Sequence, residues 1–72
     1  MDENYLIALV RARMPFGKYK DWYLTNLPVY YLEWFAREGF PEGKLGGQLA
    51  TMYEIKTNGL DEILKPIIRK NR

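Results

Sequence analysis

Nothing but packed side chains can hold this chain in one shape, because it has neither the cysteines for a disulfide nor the cysteine and histidine ligands of a zinc site. At 72 residues the restriction is severe. A domain of this size hides only about 60% of the surface that its unfolded chain exposes. The fold must therefore come from a composition that is 47% hydrophobic, with two tryptophans, six tyrosines and three phenylalanines. Fully burying one large side chain is worth about 1.5–3 kcal/mol, so roughly a dozen anchors suffice for a single small domain over residues 1–72. Self-association into a homodimer is the other remedy for a small core.

The same deficit bounds the chemistry. Cysteine, histidine and serine are all missing, which removes nucleophile–base pairs of the Ser-His and Cys-His kinds. It also removes the imidazole that most acid–base sites use near neutral pH. The adjacent acids Asp2-Glu3 and Asp61-Glu62 fall at expected helix starts, where they favour the dipole rather than converge on a metal. Glu54-Ile55-Lys56 matches the E-x-K element of a nuclease superfamily, with Asp21 as an upstream ligand. That element needs a strand, where i and i+2 share a face, and here it falls in a helical pattern. Gly43-Lys44 suggests a phosphate loop, but Gly39 is one residue too close and Leu45 stands where Ser or Thr is required. The expectation is a protein that is not an enzyme, with no catalytic residues, no metal site and no cofactor.

Proline and glycine divide the chain into short elements. Residues 3–13 predict a helix, with Leu6, Leu9 and Val10 on one stripe, Asp2 or Asn4 as cap, and Arg11 and Arg13 in the last turn. Met14-Pro15 ends it. Residues 14–25 predict a β-hairpin: Met14-Pro15-Phe16, a turn through Gly17 to Asp21, then Trp22-Tyr23-Leu24-Thr25, with Trp22 and Leu24 on one side and Tyr23 on the other. A two-stranded ribbon is marginal alone, so one face must lie on helices. A second helix follows Pro28 with Asn26 as cap, runs to about Arg37 and stops at Gly39. A third spans residues 42–57, and its Gly46-Gly47 pair implies close backbone contact with another element such as the hairpin. The last stripe, Leu60, Ile63, Leu64, Ile67 and Ile68, is kinked or split by Pro66. The predicted fold is α+β, a β-hairpin packed on three to four short helices, without linker, repeat or low-complexity tract.

The net charge is +2, yet its placement is uneven. Residues 11–20 carry Arg11, Arg13, Lys18 and Lys20 and no acid, and residues 65–72 carry Lys65, Arg69, Lys70 and Arg72 and no acid. The stretch Phe16-Gly17-Lys18-Tyr19-Lys20-Asp21-Trp22-Tyr23 interleaves lysines with rings, a pattern that pairs ammonium groups with phosphates while rings stack on bases. Its alternative reading has the rings folded inward beneath solvated lysines, the commoner fate of large aromatics in a tiny domain. Tyr30, Tyr31, Trp34 and Phe35 cover more than one face of their helix and offer a protein-partner or homodimer surface. The first residues are acidic, and the apolar run Tyr5–Val10 is far below the roughly 20 residues of a membrane span. The chain is expected to be cytoplasmic and to have no membrane partner.

Several blocks, in order, resemble a known family: Met14-Pro15-Phe16-Gly17-Lys18-Tyr19-Lys20, Leu27-Pro28, Tyr31-Leu32-Glu33-Trp34, Phe40-Pro41-Glu42-Gly43 and Asn58-Gly59-Leu60. Over about residues 14–64 the chain looks like the bacterial quorum-sensing-regulated virulence factor family, small domains of unknown function. The hairpin followed by Pro, Tyr-Leu and Trp is also similar to the C-terminal domain of exodeoxyribonuclease X-type proteins. That second resemblance implies an accessory role near DNA. The family pattern has glycine where this chain has Asp21, which sets a negative charge beside the lysines. The leading expectation is a non-catalytic module binding DNA or RNA through Arg11, Arg13, Lys18, Tyr19, Lys20, Trp22 and Tyr23. The alternative is a protein-interaction module or homodimer using Tyr30, Tyr31 and Trp34.

Overall fold

In the computed structural model, which describes residues 2–72, the chain folds as four short helices joined by tight turns. Helix α1 spans Glu3–Arg11, α2 Val29–Glu38, α3 Gly43–Thr57 and α4 Lys65–Asn71. Short 3-10 turns at Leu24–Asn26 and Asp61–Leu64 lead towards α2 and into α4. The final stripe thus divides as a 3-10 turn and a helix with Pro66 in its first turn, where a missing N–H costs nothing.

The predicted α+β class is wrong: among the described residues there is no strand, and the domain is helical. One antiparallel bridge, Arg13 with Tyr23, stands where the hairpin was expected. It is framed by Met14 N–H to the Trp22 carbonyl (2.8 Å) and Leu24 N–H to the Ala12 carbonyl (3.1 Å). Pro15 has no N–H to extend the ladder. Beyond it the backbone coils instead, with Lys20 N–H bonded to the Gly17 carbonyl and Trp22 N–H to the Tyr19 carbonyl. Gly17 and Asp21 both take positive φ, 80° and 72°. Those turns carry Tyr19 into the core, so the strand alternation that paired Trp22 with Leu24 never applies. Leu24 is fully buried while Trp22 stays 47% exposed.

Asp21 holds the coil's left-handed position. A left-handed residue is most cheaply glycine, and aspartate is among the few others that tolerate it. Asp21 also donates its N–H to the Met14 carbonyl at 2.7 Å, which locks the coil against the end of α1.

The core gathers residues from every part of the chain, with Leu9 and Val10 of α1, Leu32 and Phe35 of α2, and Leu49, Met52 and Ile55 of α3. Met14, Tyr19, Leu24 and Leu27 of the coiled segment fill its centre, the place a hairpin face would have taken. Helix α2 packs on α3 and α1 on α4, and the Leu24–Asn26 turn touches both α1 and α3. Tyr5 joins α1 to α3 through its hydroxyl, 2.9 Å from Thr51 Oγ1 and 3.2 Å from the Gly47 carbonyl.

The caps differ in detail from expectation. Asp2 caps α1, accepting from Asn4 N–H at 2.9 Å, and the helix ends at Arg11 because Ala12 is already extended. Asn26 does not cap α2; Pro28 occupies that position without a side-chain bond. The glycine pair in α3 does mark a close approach, but to Pro41 rather than to the coil. A methyl group on Gly46 would lie 1.6 Å from the Pro41 carbonyl oxygen. No helix of the described residues is long and apolar enough to cross a membrane.

Candidate nucleic-acid interface and aromatic groove

The end of α1 and the bridge after it set up the charged part of the surface. Arg11 sits in the last helical turn, where the dipole favours a cation. Ala12 turns extended, so Arg13 leaves the helix and faces its bridge partner Tyr23. The Arg13 guanidinium donates to the Tyr23 hydroxyl at 3.1 Å and its carbon lies 4.6 Å from the ring centroid. Helix α4 returns along α1 and brings Arg72 to the same ring, 3.5 Å from its centroid. Arg72 Nε donates to the Val10 carbonyl and a terminal nitrogen to Thr25 Oγ1, both at 2.7 Å. The two basic blocks of the sequence therefore meet at Tyr23.

Arg11, Arg13, Tyr23, Asn71 and Arg72 line a hollow of about 330 Å³. Arg11 and Arg13 also border a hollow of about 530 Å³ with Lys44 and the largely buried Gln48 of α3. No aspartate or glutamate lines either one. Among the described residues the one ion pair is Lys65 with Glu62, at 2.8 Å on the surface. Arg13 and Arg72 consequently have the Tyr23 ring, and Arg72 the Val10 carbonyl, as neighbours rather than acidic side chains. Burial pushes the Arg72 guanidinium down from its ordinary range; Tyr23 opposes the change and Arg13 adds to it. It stays cationic, as arginine does in proteins. A surface of this kind gains by taking up an anion, which relieves the repulsion between its like charges.

The other sequence-predicted residues lie elsewhere. Tyr19 is 6% exposed and belongs to the core. Its hydroxyl bonds that of Tyr30, and this bond, followed by burial, pushes its pKa up to about 12. Burial likewise raises Tyr31. Trp22 is exposed and meets Tyr19 edge-on at 4.8 Å. Lys20 is exposed and lines none of the hollows described here. Lys18 reaches over Tyr19 to a third hollow of about 340 Å³, bounded by Tyr30, Tyr31, Trp34 and Arg37. The basic-aromatic stretch is thus divided: Arg11, Arg13 and Tyr23 join Arg72, whereas Lys18 joins the aromatic face of α2.

That face bears a groove of about 450 Å³ between Phe16, Gly17, Tyr31, Trp34 and Phe35, almost wholly apolar. Phe16 and Trp34 are each 46% exposed, and the Tyr31 and Trp34 rings lie parallel within 5°. Sequence reasoning missed Lys44, Arg37 and Arg72, the last because residues 69–72 read as a frayed, solvated tail. Arg37 had a signal, since it follows Trp34 by three residues and shares its helix face. Lys44 had only its spacing of four from Gln48, and nothing local ties that pair to α1.

The comparisons agree with each other over nearly the whole chain. A family model described as "Putative quorum-sensing-regulated virulence factor" matches residues 2–67, so the likeness takes in α1 as well as the segment from 14 to 64. The chain is 46% identical over 70 residues to the protein named "Uncharacterized protein YpeB" from Escherichia coli (strain K12), covering 96% of this chain and 97% of that one. The same figures hold for the protein of that name from Escherichia coli O157:H7. No solved structure matches the chain. With a model spanning both basic blocks' first members, the coil and the aromatic face, the chain belongs to the family described as "Putative quorum-sensing-regulated virulence factor".

Proposed function

We propose that this domain is a non-catalytic module that binds nucleic acid through its phosphates, with Arg11, Arg13 and Arg72 as the central contacts and Lys44 beside them. One observation carries the reading: two basic segments from opposite ends of the sequence line one hollow around Tyr23, with no acidic side chain in its walls. Guanidinium groups suit phosphate because they offer paired donors in a fixed plane. Tyr23 holds two of them in place, so less side-chain freedom is lost when an anion docks.

Base stacking has a smaller part in this mode than the aromatic content suggested. Tyr19 is buried and Tyr23 is engaged by two guanidiniums, which leaves Trp22 as the exposed ring among the three expected to stack. Binding is therefore expected to be salt-sensitive and tolerant of sequence.

The test is fluorescence anisotropy of labelled single- and double-stranded oligonucleotides at two salt concentrations. Arg11→Ala/Arg13→Ala should weaken binding about tenfold or more. On duplex it should reduce the salt slope by about 1.8, the equivalent of two phosphate contacts. Lys18→Ala/Lys20→Ala should have the smaller effect. An absence of binding at low salt, or a loss confined to the lysine variant, overturns the proposal.

A further inference from the structure

We infer that the groove on α2 is a docking site for an extended acidic segment of another protein, one carrying a large apolar side chain next to carboxylates. The inference concerns a surface separate from the arginine hollow and does not depend on what that hollow binds.

The apolar half of the argument is the groove itself. Phe16 and Trp34 stand half exposed on its rim, while Tyr31 and Phe35 form its floor. About 450 Å³ falls within the range of roughly 300–1,000 Å³ typical of ligand-binding pockets, and its walls offer almost no polar atoms. These walls are firm. Phe35 packs edge-on against Tyr31 and against Trp34, both at 5.1 Å, and continues into the core through Phe40. Gly17 belongs to the wall because its positive φ turns the coil there, and a methyl group added to it would touch the Tyr31 hydroxyl at 3.4 Å.

The charged half is the neighbouring hollow. Tyr31 and Trp34 are shared by both, so a chain leaving the groove on that side enters the hollow that Lys18 and Arg37 line. Among the described residues neither cation has an ion-pair partner, and neither Glu33 nor Glu38 of α2 lines either hollow. An apolar slot that opens onto two unpaired cations is complementary to an anchor residue followed by carboxylates. An isolated apolar side chain would leave the cations unused, and a polyanion without an anchor would leave the slot empty.

A second copy of this chain is the nearest competitor. Leu60 and Ile63 are exposed around Asp61 and Glu62, an acidic ridge with two apolar side chains. That contact would join unlike surfaces, and it closes only where a two-fold pair makes it twice over or a ring completes it; otherwise it propagates from molecule to molecule. Moreover, a ridge of four residues falls far short of the roughly 20–30 residues a side that a stable interface involves.

The experiment follows the ¹H–¹⁵N spectrum of the full chain during titration with a short peptide that has Leu-Phe at its centre and aspartates on both sides. Two further peptides replace Leu-Phe by serines or the aspartates by asparagines. The first peptide should shift Phe16, Lys18, Trp34 and Arg37, and each replacement should weaken it about tenfold. Lys18→Glu/Arg37→Glu alters exposed side chains only, and should transfer preference to a lysine-flanked peptide. Trp34→Ala should abolish binding, with circular dichroism reporting that the helices remain. Four results each overturn the inference: no shift at the groove; equal affinity for the asparagine peptide; stronger shifts of these residues by an oligothymidine; or concentration-dependent shifts at Leu60–Ile63 and the groove without any peptide.

Discussion

The arginine hollow and the aromatic groove are built in opposite ways. The hollow is assembled from distant parts of the chain, Arg11 and Arg13 at one end and Arg72 at the other, brought together because α4 docks on α1. The groove is nearly local, with Tyr31, Trp34 and Phe35 on one helix and only Phe16 and Gly17 added by the coil. A charged surface collected by tertiary structure fails when any contributing element moves. A surface written along one helix survives as long as that helix and its backing persist. The difference gives each surface its own point of failure.

The largest effect is expected where both depend on a shared backbone contact. Gly46→Ala would force a methyl group into the Pro41 carbonyl and displace the start of α3, which backs α2 and carries Lys44. The cost should be about 3 kcal/mol, at the upper end for overpacking, and urea denaturation should register it. A wild-type midpoint would mean that the Phe40–Gly43 turn gives way easily and that the two surfaces lack this common support.

Tyr23→Leu separates the surfaces more selectively. It removes the ring beneath two guanidiniums and the hydroxyl that accepts from Arg13, while leaving α2 untouched. Each cation–π contact at a partly exposed site is worth about 0.5–1 kcal/mol, so a loss of about 1–2 kcal/mol is expected. Oligonucleotide affinity should fall and the groove peptide should bind as before. Equal losses at both surfaces would show that Tyr23 supports the whole coil rather than the arginines.

Tyr19 gives the groove's backing a pH signature. Its hydroxyl bond to Tyr30, aided by burial, lifts its pKa to about 12 from an ordinary value of about 10. Above the ordinary value the unfolded chain gives up the proton and the folded chain keeps it. Stability should therefore decline as pH rises from about 10 and level off once the folded hydroxyl ionises near 12. Tyr19→Phe should flatten that decline in thermal melts across this range. An unchanged slope would assign the alkaline loss to the lysines and the other tyrosines.

Much of this was legible in the sequence, and the failures have physical causes. The helix ranges were readable because Leu6, Leu9 and Val10, and then Leu45, Leu49 and Met52, repeat at helical spacing between proline and glycine stops. The hairpin was misread because Trp22-Tyr23-Leu24 has strand composition, but pairing is a property of two segments, and Pro15 leaves the first without a donor. The glycine pair announced a close contact without naming Pro41, since the contact distance lies in the turn geometry. Segregation of charge into two blocks was visible, whereas their convergence required the path of α4. The groove was half visible, as Tyr31 and Trp34 at a spacing of three; Phe16 joins them only through the coil.

The smallest expected effect bears on whether the coil's lysines belong to either surface. Asp21 holds a left-handed conformation, at φ 72°, that glycine adopts freely. Asp21→Gly relieves that strain but gives the unfolded chain more freedom, a cost of about 0.4–1 kcal/mol. The two should nearly cancel, leaving stability within about 0.5 kcal/mol of wild type. The substitution also removes a negative charge beside Lys20. If Lys18 and Lys20 lie outside the nucleic-acid path, oligonucleotide affinity will be unchanged within about twofold, because Asp21 is exposed, lines neither arginine hollow, and a single solvated charge is worth little. A gain beyond that, lost again at higher salt, would draw the lysines into the nucleic-acid surface. The arginine hollow would then be one end of a longer basic track, with Lys18 the point where that track meets the groove.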